Sequence, residues 1–474
     1  MGFDELTDHV DSVWDDDVVP TLHEYITIPN LSEAFDPDWA TNGHMAAAVE
    51  LFASWARSRP IEGMTVDVVE LEGCTPVLVC EIPAHRAAVS EHTVLLYGHL
   101  DKQPEMEGWD DNKGPWTPVL EDGRLYGRGG GDDGYAMFAS LTAVEALVAS
   151  GGIHARLVVL IEAGEESGSP DLAAHVDNLA DRLGDVGLVV CLDSGAADYE
   201  ALWVTTSLRG LVSGVLEVEV AEQGMHSGSA SGVVPSSFRI LRNLIDRVED
   251  CGSGRIRLPE LHAEIPDDIR SKAEAAAPLL AHELVGALPL AGSTRPVEED
   301  VVELILNRTW RPALSVVGLG GAPEPGDAGN VLRPRTSAKL SFRLPPTTNP
   351  TLALEAVTRA LTDRVPYGAT ATFADAESGP GWAAPPFEPW LADVLDDSSE
   401  RHFGRPAGYQ GEGGSIPFMG MLGTKFPTAQ FVITGVLGPG SNAHGPNEFL
   451  DIATAKRVTG CVAEMLAAHA VQGS

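Results

Sequence analysis

The sequence predicts an α/β protein: a domain built on a mainly parallel sheet, interrupted by a smaller inserted α+β domain. Three observations carry this. Short, continuous apolar runs such as TVLLY (93–97), ARLVVLI (155–161) and VGLVVCL (186–192) alternate with helical stretches, as buried parallel strands do. Near residue 207 the pattern changes, and LVSGVLEVEV (211–220) alternates with period two, the mark of a half-buried strand. After residue 387 the first pattern returns.

Taken in order, residues 5–27 and 40–58 read as amphipathic helices. Strand 93–97 follows, then the Ala-rich helix 133–150, strand 155–161, helix 170–183 and strand 186–192. The inserted part opens with strand 211–220 and helix 235–248. After a polar, Pro-rich middle come strand 338–344, helix 350–364 and strand 369–375. Together they suggest a β-α-β-β-α-β unit with one exposed sheet face. SGPGWAAPP (378–386) reads as a linker, and helix 387–403, strand 429–434 and helix 449–469 complete the chain. The expected boundaries are therefore 1–207, 208–383 and 384–474.

The chain has 474 residues, too many for one ordinary domain, and 44% of them are hydrophobic, enough for a substantial core. Its net charge is −38, from 69 acidic against 31 basic residues. Such a surface repels nucleic acid and anionic membranes, so neither is an expected partner. Cys74, Cys80, Cys191, Cys251 and Cys461 are scattered with no C-x-x-C, which fits reduced thiols in a cytoplasm. The N-terminus lacks a signal-peptide apolar stretch, and no run of apolar residues is long enough to span a membrane.

Ligands of open parallel sheets bind beyond the carboxyl ends of the strands. There the sequence places His99 and Asp101 after the first run, Glu165 and Glu166 after the second, and Asp193 after the third. GRGGGDD puts Asp132 before the long helix, and His444 follows the last strand. Each alone has a bland reading: a structural His, a helix N-cap, a solvated Glu pair. Converging on one sheet edge, the carboxylates would repel one another unless cations neutralise them. Two imidazoles and three carboxylates without thiolate suit zinc, cobalt or manganese in a catalytic site. Asp132, central in a Gly-rich turn, is the natural bridge between two metals. With Glu166 as ligand, adjacent Glu165 is placed to act as general base on water activated by the cations. Asp101, two residues from His99, is suited to hold the ring's other nitrogen. GRGGGDDG lacks the Lys-Ser/Thr of a phosphate-binding loop, and a mere metal-binding scaffold would need no base at Glu165.

The stretches LLYGHLDKQP, GWDDNKGPWTPVLEDGRLYGRGGGDDG, IEAGEESGS, CLDSG, GMHSG, GNVLRPRTSAKLSFRLPP, GEGGSIP and NAHGPNE run from about 94 to 448. In order and spacing they resemble the dinuclear zinc metallopeptidase family of cytosolic nonspecific dipeptidase, carnosine dipeptidase, glutamate carboxypeptidase, succinyl-diaminopimelate desuccinylase and aminoacylase, and most the dipeptidase branch. The resemblance implies two zinc ions per subunit, with Mn2+ or Co2+ as alternatives. One would be held by His99, Asp193 and bridging Asp132, the other by Glu166, His444 and Asp132. Glu165 would be the base and then the acid that protonates the leaving amine. It further implies a cis peptide at Asp132–Asp133 and an inserted domain that serves as lid and homodimer surface. His226 would reach across the dimer to the developing oxyanion, supported by Asn330, and Arg343 would bind the substrate's carboxylate. Gly414 and Ser415 would contribute further substrate contacts. The implied substrate is a dipeptide or short peptide, with an N-acyl amino acid or related amide as the alternative. Two positions depart from the family's pattern. Asp133-Gly134-Tyr135 follows the bridging Asp, and Gly411 stands where the dipeptidase branch has an Arg. The second departure removes one carboxylate anchor.

Overall fold

The computed structural model describes residues 2–286, 288–414 and 417–473. Its contacts divide the chain into two compact units, one of residues 1–206, 384–410 and 421–474, the other of 207–383 and 411–420.

The first unit is organised on a mixed sheet with the order Thr65–Val69, Val77–Ile82, Leu157–Glu162, Thr93–His99, Val186–Cys191, Gln430–Thr434 and Trp203–Leu208. The three central pairings are parallel and the flanking ones antiparallel. Every residue of Thr93–His99 and Leu157–Glu162 is buried, which explains why these strands read as unbroken apolar runs rather than alternating ones. Helix Tyr135–Ala149 is apolar nearly all round because it is enclosed by other helices, among them Phe3–Val13 and Ile452–Ala470. One core unites these layers, with Leu6, Trp14, Phe52, Phe138, Leu96, Val159 and Leu466 among its buried members. Several expected boundaries shift: helix 40–58 begins at His44, and helix 170–183 is two helices, Leu172–Asn178 and Ala180–Leu183. Helix 5–27 is a continuous run of three helical segments from Phe3 to Ile26. The expected helix 449–469 begins as strand Phe449–Asp451, paired with Arg124–Tyr126. The helix proper starts at Ile452, where Asp451 Oδ1 accepts from Thr454 N at 2.9 Å.

The second unit is a four-stranded antiparallel sheet, ordered Ala313–Gly320, Arg335–Leu344, Gly210–Glu219 and Thr370–Gly379, with helices Ser237–Val248 and Pro350–Thr362 against one face. Taken along the chain this is the expected β-α-β-β-α-β order. Alternation is plain in Arg335–Leu344, where Thr336, Ala338, Leu340, Phe342 and Leu344 are buried and their neighbours are not. These residues share a core with Val212, Leu216, Leu244 and Val357. The Pro-rich middle holds two helices, Asp267–Ala281 and Val301–Thr309, and the strand Ala313–Gly320. The sequence pattern misses that strand because its position at the sheet edge leaves apolar Val316, Val317 and Leu319 exposed. Trp382–Ala383, inside the expected linker, pairs with Leu208 and Ser207.

Candidate metal centre

The parallel strands deliver their chemistry at their carboxyl ends. His99 is the last residue of its strand, Glu165 and Glu166 open a 3-10 turn three residues after Leu157–Glu162, and Asp193 lies two residues past Val186–Cys191. Asp132 sits in the turn before helix Tyr135–Ala149. The Asp132–Asp133 peptide is cis. This turn packs tightly on the first strand: a Cβ on Gly98 would fall 2.7 Å from Asp133 Oδ2, which accepts from His99 N at 3.3 Å.

Asp132 lies between the two imidazoles. Its Oδ1 is 3.4 Å from His99 Nε2, and its Oδ2 is 3.0 Å from His444 Nε2. Asp193 Oδ2 stands 3.8 Å from His99 Nε2, and Glu166 Oε2 stands 3.2 Å from His444 Nε2. Two ligands about 2.0–2.2 Å from one ion at a tetrahedral angle are roughly 3.4 Å apart, so these are separations that shared cations would impose. Donor atoms of His99, Asp132 and Glu166 fall within 4.8 Å of one another, as do those of His99, Glu165 and Asp193. His99 Nε2 and Glu166 Oε1 are buried with no hydrogen-bond partner, which in a folded interior calls for a ligand. The residues present therefore fit a pair of divalent cations.

The electrostatics agree. Left to the protein's own charges, burial and then the Asp193 charge push Glu165 well above the usual carboxylate range, and burial likewise raises Glu166. Burial takes Asp193 up to about 7. Hydrogen bonds to Asp132 and Glu166 hold His444 up at about 11. For His99, burial alone would lower the ring, but Asp101 and Asp132 outweigh it and raise it well above its ordinary value. Asp132 moves the other way: although burial opposes it, His444 and His99 keep it ionised. A carboxylate stabilised as the anion at the centre of a cluster that resists ionisation is what a bridging ligand requires.

Asp101 does more than face a ring nitrogen. His99 Nδ1 is 3.1 Å from its carbonyl oxygen and 3.4 Å from its Oδ1, while its two carboxylate oxygens accept from Glu165 N at 3.1 Å and Glu166 N at 3.0 Å. It thereby fixes the Glu165–Glu166 turn relative to His99.

The remaining expected site residues lie in the second unit. His226 and Asn330 are neighbours there: Met225–His226 pairs with Val331–Leu332, and Ser227 N donates to the Asn330 carbonyl at 2.9 Å. Both side chains are exposed. Arg343 lies on the four-stranded sheet, opposite Leu211 and Ala313. The Gly414 carbonyl accepts from Arg209 N at 3.0 Å, whereas Ser415 lies outside the described residues.

With this geometry in hand, comparison with known proteins is decisive: the profile of Peptidase family M20/M25/M40 matches residues 95–468. The chain belongs to that family.

The matched M20 segment contains every candidate ligand from His99 to His444. Among its relatives, a cysteinylglycine-S-conjugate dipeptidase of Corynebacterium striatum is 27% identical over 385 residues, covering 79% of this chain and 80% of the relative. A Cys-Gly metallodipeptidase of Schizosaccharomyces pombe is 26% identical, covering 77% of each. The fold is shared with the di-peptidase Dug1p of Saccharomyces cerevisiae (TM-score 0.76, 21% identity, 99% of this chain and 98% of that one). Human carnosine dipeptidase 1 gives the same TM-score at 22% identity and the same coverage. As an M20 member the chain is a hydrolase of the metallopeptidase class.

Two supporting groups of this M20 centre escape the sequence reading. Gln103 Nε2 donates to Glu166 Oε2 at 2.7 Å. Arg128 and Glu448, both fully buried, form an ion pair across 320 residues of chain, with Arg128 also donating to the Gly445 carbonyl at 3.1 Å and Glu448 accepting from Gly129 N at 2.8 Å. The pair ties the loop that carries His444 to the turn that carries Asp132. That loop needs tying, because Asn442, His444 and Asn447 all have left-handed backbones. The only sequence signal was a charged residue inside each small-residue motif. Arg128→Met is expected to cost about 3–5 kcal/mol, because it leaves Glu448 buried and uncompensated. Denaturant unfolding checks this. Arg128→Met with Glu448→Leu should recover most of the loss, and a single-variant cost under about 1 kcal/mol would mean the pair is solvated.

Proposed function

We propose that this chain hydrolyses the peptide bond of dipeptides at a two-metal centre. The observation that carries the reading is Asp132, each of whose oxygens faces a different imidazole. In this reading His99, Asp193 and Asp132 hold one cation, and Glu166, His444 and Asp132 hold the other. The set of imidazole and carboxylate donors favours zinc, with manganese or cobalt as substitutes. Such a pair polarises the scissile carbonyl and lowers the pKa of water toward ~7. Glu165 takes the proton from the attacking water and returns it to the leaving amine. Its burial suits both halves of that task, since the protonated form is easily held. Asp101 keeps Glu165 in place through the backbone of the turn. His226, with Asn330 beside it, stabilises the oxyanion across a homodimer, and Arg343 receives the terminal carboxylate.

The edge strand Ala313–Gly320 supports dimerisation through the second unit, because its exposed Val316, Val317 and Leu319 leave an apolar edge that a second copy can cover. No described helix is long and apolar enough to cross a membrane. With the scattered cysteines and strong negative charge, a cytoplasmic enzyme with no nucleic-acid partner is the reading that fits.

The test is hydrolysis of a panel of free dipeptides and N-acyl amino acids, before and after chelation and zinc or manganese add-back. Metal-restored cleavage of dipeptides is the expected result. Cleavage of the acyl substrates alone would replace the dipeptidase by an amidohydrolase, the reading that the missing arginine at Gly411 favours.

A further inference from the structure

Lys102 is fully buried, and among the described residues no carboxylate pairs with it. A lysine is almost never enclosed so completely without an acid beside it. Its ammonium donates instead to the carbonyls of Tyr25 and Ile28, each at 2.8 Å. Tyr25 lies in the last turn of helix Val19–Ile26 and Ile28 two residues past its end, where a helix presents carbonyls to a cationic partner. Lys102 therefore clamps the carboxyl end of that helix. Burying an ammonium is costly, so a side chain spent in this way is expected to hold something that matters.

What it holds is Tyr25. The Lys102 ammonium stands 3.7 Å from the centre of the Tyr25 ring. The Tyr25 hydroxyl donates at 2.7 Å to the carbonyl of Leu100, the residue between His99 and Asp101. Asn30 Nδ2 donates to the same carbonyl at 2.6 Å, and Lys102 N donates to the Asn30 carbonyl at 3.1 Å. On its other side the ring meets the turn that carries Asp132. A Cβ on Gly134 would fall 2.9 Å from Tyr25 Cδ1, and one on Gly129 would fall 2.6 Å from Lys102 Cε. The tyrosine ring and the lysine stem thus fill the space on which the two ends of the turn rest. The strand end and the turn each bring one imidazole or carboxylate to the same place, with His99 Nε2 3.4 Å from Asp132 Oδ1.

We propose that Lys102 and Tyr25 form a wedge that sets the spacing between the strand end carrying His99 and the turn carrying Asp132, and so act as positioning residues for the cation that these two ligands share. They act through Leu100 and Gly129, not as ligands. The proposal rests on the two-metal reading.

The experiment measures zinc affinity, by competition with a chromophoric chelator, and the melting temperature of the chelated protein in the wild-type, Lys102→Met and Tyr25→Phe chains. Methionine keeps an unbranched stem against Gly129 but donates no hydrogen bond. Phenylalanine keeps the ring but releases Leu100. Lys102→Met is expected to weaken zinc binding by about 10-fold or more, as loss of a group that orients metal ligands from behind does. Tyr25→Phe should weaken it by roughly 5-fold, the size of one hydrogen bond. A purely structural role would lower the melting temperature and leave the zinc affinity of the folded protein unchanged, and unchanged affinity in either variant overturns the proposal. If Lys102→Met does not fold, Tyr25→Phe decides alone. A wild-type chain that binds no zinc sinks the two-metal reading and the wedge with it, whereas wild-type affinity in the variants sinks the wedge only.

Discussion

Glu165→Gln is expected to lower kcat by about 10^3-fold while the metal content of the purified protein stays at the wild-type level. The amide keeps the shape of the carboxylate but cannot accept the proton of the attacking water. The fold should tolerate the exchange, because what anchors residue 165 is its backbone N–H to Asp101 Oδ1 at 3.1 Å, and the substitution leaves that bond intact. Burial already raises the Glu165 carboxyl well above its ordinary range, so a neutral side chain at this position costs less to bury than the charged carboxylate. Steady-state kinetics with metal analysis by mass spectrometry decide the matter. Because Glu165 also lies within 4.8 Å of His99 and Asp193, loss of metal along with activity would make it a ligand rather than the base.

Chelation is expected to abolish turnover and to lower the melting temperature by an amount that grows with pH. The sign follows from Asp193, which burial pushes up to about 7. In an unfolded chain an aspartate titrates near ~3.9. The metal-free fold therefore holds a proton that the unfolded chain releases between those values. The stability that this proton confers is complete below ~3.9 and is lost as pH rises to about 7. Cations act in the opposite sense, since they bind the ionised carboxylates and neutral imidazoles, and their stabilisation increases as protons leave. At a free metal concentration 1,000 times the dissociation constant, the gain is roughly 4 kcal/mol, or on the order of 10 °C for a unit of this size. Thermal melts of chelated and zinc-loaded protein at pH 5, 6, 7 and 8 measure the gap. A gap that stays level or narrows toward pH 8 would mean that the carboxylates of the centre do not hold the metal.

Much of this centre was legible because it lies where local patterns end. The runs TVLLY, ARLVVLI and VGLVVCL announce buried strands, and the polar residues just past them, His99, Glu165, Glu166 and Asp193, have no reason to be there in a core. Period-two alternation likewise revealed the strand expected at 211–220, observed as Gly210–Glu219. Strand Ala313–Gly320 stayed hidden for the converse reason, since an edge exposes apolar side chains and blurs the alternation that would mark it.

The sequence by itself therefore determined most of the elements and the kinds and order of the candidate ligands, because periodicity and composition are local properties of the chain. The tertiary structure alone decided which oxygen of Asp132 faces which histidine, and that Glu448 secures the His444 loop through Arg128. Those facts depend on contacts between residues 33 to 320 positions apart along the sequence, whose energies come from burial and exclusion of water rather than from any pattern that neighbours share.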